Sequence, residues 1–394
     1  MSPINSSQFP IVERLPPYVL GVVVQKMNEL RKAGADVIDL GMGNPDMPSP
    51  DFVVQKLIEA AQKPKNHRYS VSRGIPKLRQ AICAWYKRHY DVDLNFDSEV
   101  IATMGAKEGL SHLIMAITKP GDVIMAPNPT YPIHSFAPVI AGANVRDIRC
   151  DNMDDFFNSI ERSIKTILPR PKVLITSFPS NPTGHVVDLD FFKELVRYAK
   201  ENDLIVIHDL AYADICFDGY KAPSILQVPG AKDVAVELYS MSKGYNMPGW
   251  RVAFTVGNRQ LIEALKKIKS YLDYGMFQPI QIAATVALNE GDAFVRENCA
   301  LYQKRRDVFV DGINLAGWPV PKPKATMFVW AKIPEKFAGM SSLDFTQLML
   351  TKALVCCSPG IGFGEYGEGY VRFALVENEK RLRQAVRGIK NFFK

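Results

Sequence analysis

Ser240-Met241-Ser242-Lys243, followed closely by Pro248-Gly249-Trp250-Arg251, is the stretch on which the reading of this chain turns. The apolar run 234–239 precedes it, so the lysine falls just past the end of a predicted β-strand. A lysine beside small hydroxyls, with an arginine a short loop away, is what pyridoxal phosphate (PLP) requires. The amine forms a Schiff base with the cofactor's aldehyde, and hydroxyls and a guanidinium hold its phosphate. Taken alone, the segment also reads as a solvated surface lysine. What separates the two readings is whether the other parts of a PLP site occur elsewhere.

The surroundings predict where such parts would meet. From about 50 to 280, helical patterns (52–62, 75–89, 107–118, 132–140, 155–163, 189–202 and 260–271) alternate with short runs rich in β-branched residues (100–104, 123–126, 145–148, 173–176, 204–208, 234–239 and 252–256). This alternation predicts an α/β unit, a mainly parallel seven-stranded sheet sandwiched by helices. Ligands of such sheets gather at the carboxyl ends of the strands. After residue 281 the pattern changes to helices 282–289 and 293–315, strands 327–331 and 371–375, and a closing helix 379–392. That reads as a smaller α+β domain, and 394 residues suit two domains. The expected division is 1–45 as an arm and small-domain segment, 46–280 as the large domain and 281–394 as the small one.

Candidate site residues fall at the strand ends. His208-Asp209-Leu210-Ala211-Tyr212 closes an apolar run, where a carboxylate is costly unless paired. Asp209 suits a protonated pyridine nitrogen, keeping the cofactor a strong electron sink, with Tyr212 bonded to the ring oxygen. A strand-end aspartate capping the next segment is the alternative, and His208 reads as structural. Ser180-Asn181-Pro182-Thr183-Gly184 is a turn sequence that could aim Asn181 at the same ring oxygen. Gly105-Ala106-Lys107 opens a helix, where backbone N–H groups favour phosphate; an ordinary turn is the alternative. Tyr131 could stack on a flat cofactor or simply pack. Arg372, alone in the apolar run Tyr370-Val371-Arg372-Phe373-Ala374, calls for an anion. A bidentate grip on a substrate α-carboxylate or a structural ion pair would each supply it.

Other classes lack support. The net charge is +7, but the basic residues are scattered, and Lys304-Arg305-Arg306 falls in a helical pattern, so no nucleic-acid partner is expected. The six cysteines form no C-x-x-C and no ligand-spaced cluster with histidine. A reduced cytoplasmic setting without a structural metal is the expectation. No export signal is evident and no apolar run approaches membrane-spanning length. Gly362-Phe363-Gly364-Glu365-Tyr366-Gly367 matches G-x-G-x-x-G, but it leads into a strand rather than a helix, so nicotinamide binding is rejected.

Together these motifs resemble the fold-type I, class I/II aminotransferases over nearly the whole chain. The order in that family is a phosphate turn, a stacking aromatic, S-N-P-x-G, D-x-x-Y, S-x-S-K and a late carboxylate-binding arginine. Gly41-Met42-Gly43-Asn44-Pro45-Asp46, the segment from Tyr69 to Pro76, and Cys357-Ser358-Pro359-Gly360 look like the bacterial glutamate–pyruvate (alanine) aminotransferase group. That group is similar to LL-diaminopimelate and aspartate aminotransferases. The resemblance implies a PLP-dependent, ping-pong transamination between L-alanine and 2-oxoglutarate, with Lys243 as Schiff-base lysine and catalytic base. It implies a homodimer in which Tyr69 reaches the phosphate in the neighbouring subunit, and it places the Gly43 backbone beside the substrate carboxylate. The family often has serine where this chain has Ala106. A bond to a charged phosphate worth about 1.5–3 kcal/mol would then be absent. Diaminopimelate or aspartate transamination and PLP-dependent C–S β-lysis stay open. Tyr18 and Tyr274 are candidate pocket walls, and Arg73 is a candidate for the contact to the substrate's distal carboxylate.

Overall fold

A computed structural model describes residues 9–17, 19–150 and 155–394; Tyr18 lies outside them. In chain order the strands are β1 (Ile38–Asp39), β2 (Val100–Thr103), β3 (Val123–Asn128), β4 (Asn144–Arg149), β5 (Val173–Ser177), β6 (Ile205–Asp209), β7 (Ala235–Ser240), β8 (Ala253–Gly257), β9 (Phe328–Lys332), β10 (Val355–Cys356), β11 (Ser358–Pro359) and β12 (Tyr370–Ala374). Seven of them form one sheet in the order β2-β8-β7-β6-β5-β3-β4. Only β8 runs against its neighbours, so the other strands all point their carboxyl ends to one edge. The predicted mainly parallel α/β sheet is thus the architecture found.

The sequence pattern explains the layering. Side chains alternate faces along a strand. Met125, Leu174, Val206 and Tyr239 pack into one apolar layer with Trp85, Phe192 and Phe254. Their neighbours Ile124, Ile175, Ile207 and Leu238 enter the opposite layer with Leu110, Leu113 and Leu265. Both faces are covered, which is why the central strands read as unbroken apolar runs. The edge strand β4 differs: Arg146, Asp147 and Arg149 interrupt its apolar residues, and these charges guard an open edge. Helix Leu189–Glu201 shows the covering principle. Asp188 caps it by accepting from the Phe191 N–H, and Phe192, Leu195, Val196 and Ala199 form its buried stripe.

A separate apolar cluster joins Ile38 and Leu40 to Phe309, Trp318, Phe345, Phe373 and Leu382. The early segment around β1 therefore packs with the C-terminal part, where β11, β12 and β9 form an antiparallel sheet. The sequence reading did not identify helix Ser342–Lys352, which Ser341 caps by accepting from the Asp344 N–H. Nor did it find the short pairs β1–β10 and β11–β12. Two residues are too few to show a period. The G-x-G-x-x-G segment forms the 3-10 turns Gly360–Phe363 and Glu365–Gly367, without a helix on them.

Candidate active site

Ser240 ends β7 and begins the short helix Met241–Gly244. Its hydroxyl accepts from the Ser242 N–H at 3.3 Å and lies 3.0 Å from the Ser242 hydroxyl, so the two oxygens share one corner. Lys243 follows on that helix, and its Nζ donates to the Gly43 carbonyl at 2.7 Å. Burial, with the Arg372 and Arg251 guanidinium groups adding repulsion, lowers the Lys243 pKa to about 7. Near neutrality a large fraction of this amine is uncharged, the form that can attack a carbonyl or take a proton.

Asp209 is buried at the carboxyl end of β6. His134 Nε2 lies 2.9 Å from its Oδ2, and Thr130 Oγ1 lies 2.6 Å from His134 Nδ1. With Nε2 donating to the carboxylate, Nδ1 accepts from the threonine, which fixes the ring. His134 was missed in the sequence. Its signal was the spacing to Thr130 across Tyr131-Pro132, which puts both at the start of helix Pro132–Ile140. His208 matches its structural reading: it is buried, Thr176 Oγ1 lies 2.9 Å from its Nδ1, and desolvation lowers its pKa to about 4.

Asn181, Tyr212 and Arg372 meet above the sheet. Asn181 Oδ1 accepts from Arg372 Nη1 at 2.8 Å, while its Nδ2 donates to the Tyr212 hydroxyl at 3.5 Å. Arg372 Nη2 also donates to the Gly41 carbonyl at 2.8 Å and to Ser358 Oγ at 3.2 Å. Its guanidinium lies over the rings of Phe328 and Phe363, at 4.1 and 4.6 Å from their centres. Segment 41–43 thereby touches both Arg372 and Lys243. A Cβ on Gly43 would fall 2.7 Å from the Phe328 ring, so the backbone itself lines this corner.

Gly105 caps helix Ala106–Ile117 with φ +89° and ψ +156°, a conformation open essentially to glycine alone. A Cβ there would lie 1.9 Å from Arg251 Nη2, so the guanidinium rests directly on the turn. Arg251 Nη1 donates to the Pro248 carbonyl at 2.8 Å. Lys107 Nζ sits 5.0 Å from the centre of the Tyr131 ring. Glycine turn, guanidinium, serine hydroxyls and helix amides are the donors that a phosphate dianion takes. Beside them stand an amine of depressed pKa and a buried carboxylate, and this donor set fits PLP.

Three candidates stand apart from the cluster. Tyr69 is 84% exposed, and its ring lies 4.6 Å from that of Tyr274, which is also exposed. Arg73 pairs with Asp97 at 3.5 Å.

Fold and site define a PLP-dependent aminotransferase. Residues 35–389 match the family Aminotransferase class I and II, and the chain belongs to it. It is 54% identical to the glutamate-pyruvate aminotransferase AlaC of Escherichia coli K12, over 98% of this chain and 94% of that one. It is 43% identical to the LL-diaminopimelate aminotransferase of Moorella thermoacetica, over 95% of each chain. Among solved structures, substrate-bound BacF from Bacillus subtilis superposes with a TM-score of 0.92 at 36% identity, covering 99% of this chain and 98% of that one.

Proposed function

We propose that this enzyme transfers the amino group of L-alanine to 2-oxoglutarate, giving pyruvate and L-glutamate by a ping-pong mechanism. The observation that carries the choice of substrate is the 54% identity to a glutamate-pyruvate aminotransferase across almost the full length of both chains. PLP, when bound, supplies the aldehyde that condenses with amines and the conjugated ring that takes up the electron pair left on Cα. The protein's own residues do the rest. Gly105, Ala106, Lys107, Ser240, Ser242 and Arg251 would hold the phosphate. Tyr131 would cover the ring, Asp209 would pair with the ring nitrogen, and Asn181 and Tyr212 would bond the ring oxygen. Arg372, with Asn181 and the Gly43 backbone beside it, orients the α-carboxylate. Lys243 Nζ then accepts the Cα proton, which its lowered pKa of about 7 suits.

We read the chain as a cytoplasmic homodimer with shared sites, in which the exposed Tyr69 contributes to the neighbouring subunit's phosphate site. We read its domains as 46–280 and 281–394, with 1–45 as the arm and small-domain segment. The separate apolar cluster of the C-terminal part supports that division. Diaminopimelate transamination is the second reading, which the 43% identical relative favours.

The test is a single half-reaction. Holoenzyme mixed with L-alanine and no keto acid should release pyruvate stoichiometric with active sites and then stop, restarting when 2-oxoglutarate is added. Faster keto-acid release from LL-diaminopimelate or L-aspartate than from alanine would replace the substrate assignment. Continuous pyruvate and ammonia release from cystathionine would make the enzyme a lyase.

A further inference from the structure

Lys269 lies on helix Arg259–Leu272 and is completely buried, yet no step above uses it. Its Nζ donates to Glu108 Oε1 at 2.6 Å and to Asp273 Oδ2 at 2.9 Å. Glu108, His112 and Asp273 are close enough together to share a metal ion, but the Lys269 ammonium already bonds both carboxylates. A buried cation between two carboxylates is costly to assemble and conformationally exacting. What it holds in place is therefore informative.

On one side it holds the phosphate turn. Glu108 stands in the first turn of helix Ala106–Ile117, and its Oε2 accepts from the Met104 N–H at 2.8 Å. The carboxylate thus reaches back across Gly105, the residue on which the Arg251 guanidinium rests. An uncompensated carboxylate there would also oppose a phosphate dianion at the same helix N-terminus. The Lys269 ammonium, shared with Asp273, offsets part of that charge, and by bonding Oε1 it leaves Glu108's second oxygen to fasten Met104. On the other side, Asp273 Oδ1 accepts from the Gly275 N–H at 2.6 Å. A Cβ on Gly275 would meet the Val71 carbonyl at 2.4 Å, so this turn seats against the segment that carries Tyr69.

We propose that Lys269 is a positioning residue for cofactor binding: through Glu108 it braces the Gly105–Lys107 turn that receives the PLP phosphate. The proposal rests on the reading that this turn is the phosphate site. Its signature is selectivity for the phosphate handle, which a loss of general stability would not produce.

The experiment titrates full-length protein, freed of cofactor, with PLP and separately with pyridoxal, which lacks the phosphate. Dissociation constants are read from the cofactor's visible absorbance and checked by the Tm shift. Lys269→Met should weaken PLP binding by about tenfold and leave pyridoxal within about twofold. Glu108→Gln is the second variant, and it decides alone if Lys269→Met does not fold. It leaves Lys269 paired with Asp273 and offers one oxygen where Met104 and Lys269 need two. It should weaken PLP selectively, by about three- to tenfold. Equal losses for PLP and pyridoxal, or no loss of either, would overturn the proposal. Arg251→Ala separates that failure from a failure of the site reading. If it costs PLP but not pyridoxal while the brace variants do not, only the brace is wrong. If it too shows no selectivity, the phosphate does not bind at this turn.

Discussion

At the scale of single residues, Lys243 carries the sharpest expectations. Its pKa is lowered from 10.5 to about 7, first by burial and then by Arg372 and Arg251. The uncharged amine gains as pH rises through that value, so the rate at which cofactor-free protein condenses with PLP should rise from pH 6 to 8 and then level off. A rate that is flat through this range would mean that the amine's protonation does not limit the step. Lys243→Ala should lower turnover by at least about 10²–10⁴-fold, the usual worth of a positioned base. Lys243, Asp209 and Arg372 were legible because a charged side chain at the end of or inside an apolar run demands a partner. His134 was not, because its spacing to Thr130 says nothing of the carboxylate it meets, 75 residues further along the chain.

Among the elements, the turn before helix Ala106–Ile117 is the most constrained part of the site. Gly105→Ala places a methyl 1.9 Å from Arg251 Nη2, on a backbone with φ +89°. The strain alone is about 1–3 kcal/mol, so either the guanidinium swings away or the turn shifts. PLP affinity should fall by roughly tenfold or more, read by the same titration, while far-UV circular dichroism stays unchanged. Unaltered PLP affinity would show that Arg251 and the turn need not touch for the phosphate to bind. Element positions in the large sheet were predictable because its strands are short apolar runs, most of them separated by amphipathic helices. Pairs such as β1–β10 were not, since two residues pair only where the tertiary fold brings them together.

For the molecule as a whole, a buried carboxylate makes stability depend on pH. Glu237 on β7 lies among Tyr86, Ser224 and the Ile225 N–H, which donate to it at 2.8, 2.7 and 3.0 Å. Desolvation still outweighs those bonds and raises its pKa from 4.5 to about 7. The folded chain therefore keeps this proton to higher pH than the unfolded chain does. Its stabilising share is complete below about pH 4.5 and is lost as pH rises through about 7, a swing of about 3 kcal/mol. In denaturant unfolding, the stability of wild type relative to Glu237→Gln should decline by that order between pH 4.5 and 8. A constant difference would show a carboxylate ionised throughout.

The sequence by itself determined the α/β architecture and the strand ends at which the candidate residues Lys243, Asp209 and Asn181 stand. Those features follow from local periodicity and from the cost of placing charge beside apolar runs. Only the tertiary structure decided that the Gly43 carbonyl holds Lys243, that His134 holds Asp209 and that Lys269 holds Glu108. Each joins segments far apart in the chain, and such contacts are set by the order in which strands and helices pack. The lowered pKa of Lys243 belongs with them, because desolvation and repulsion sum over everything that surrounds the amine.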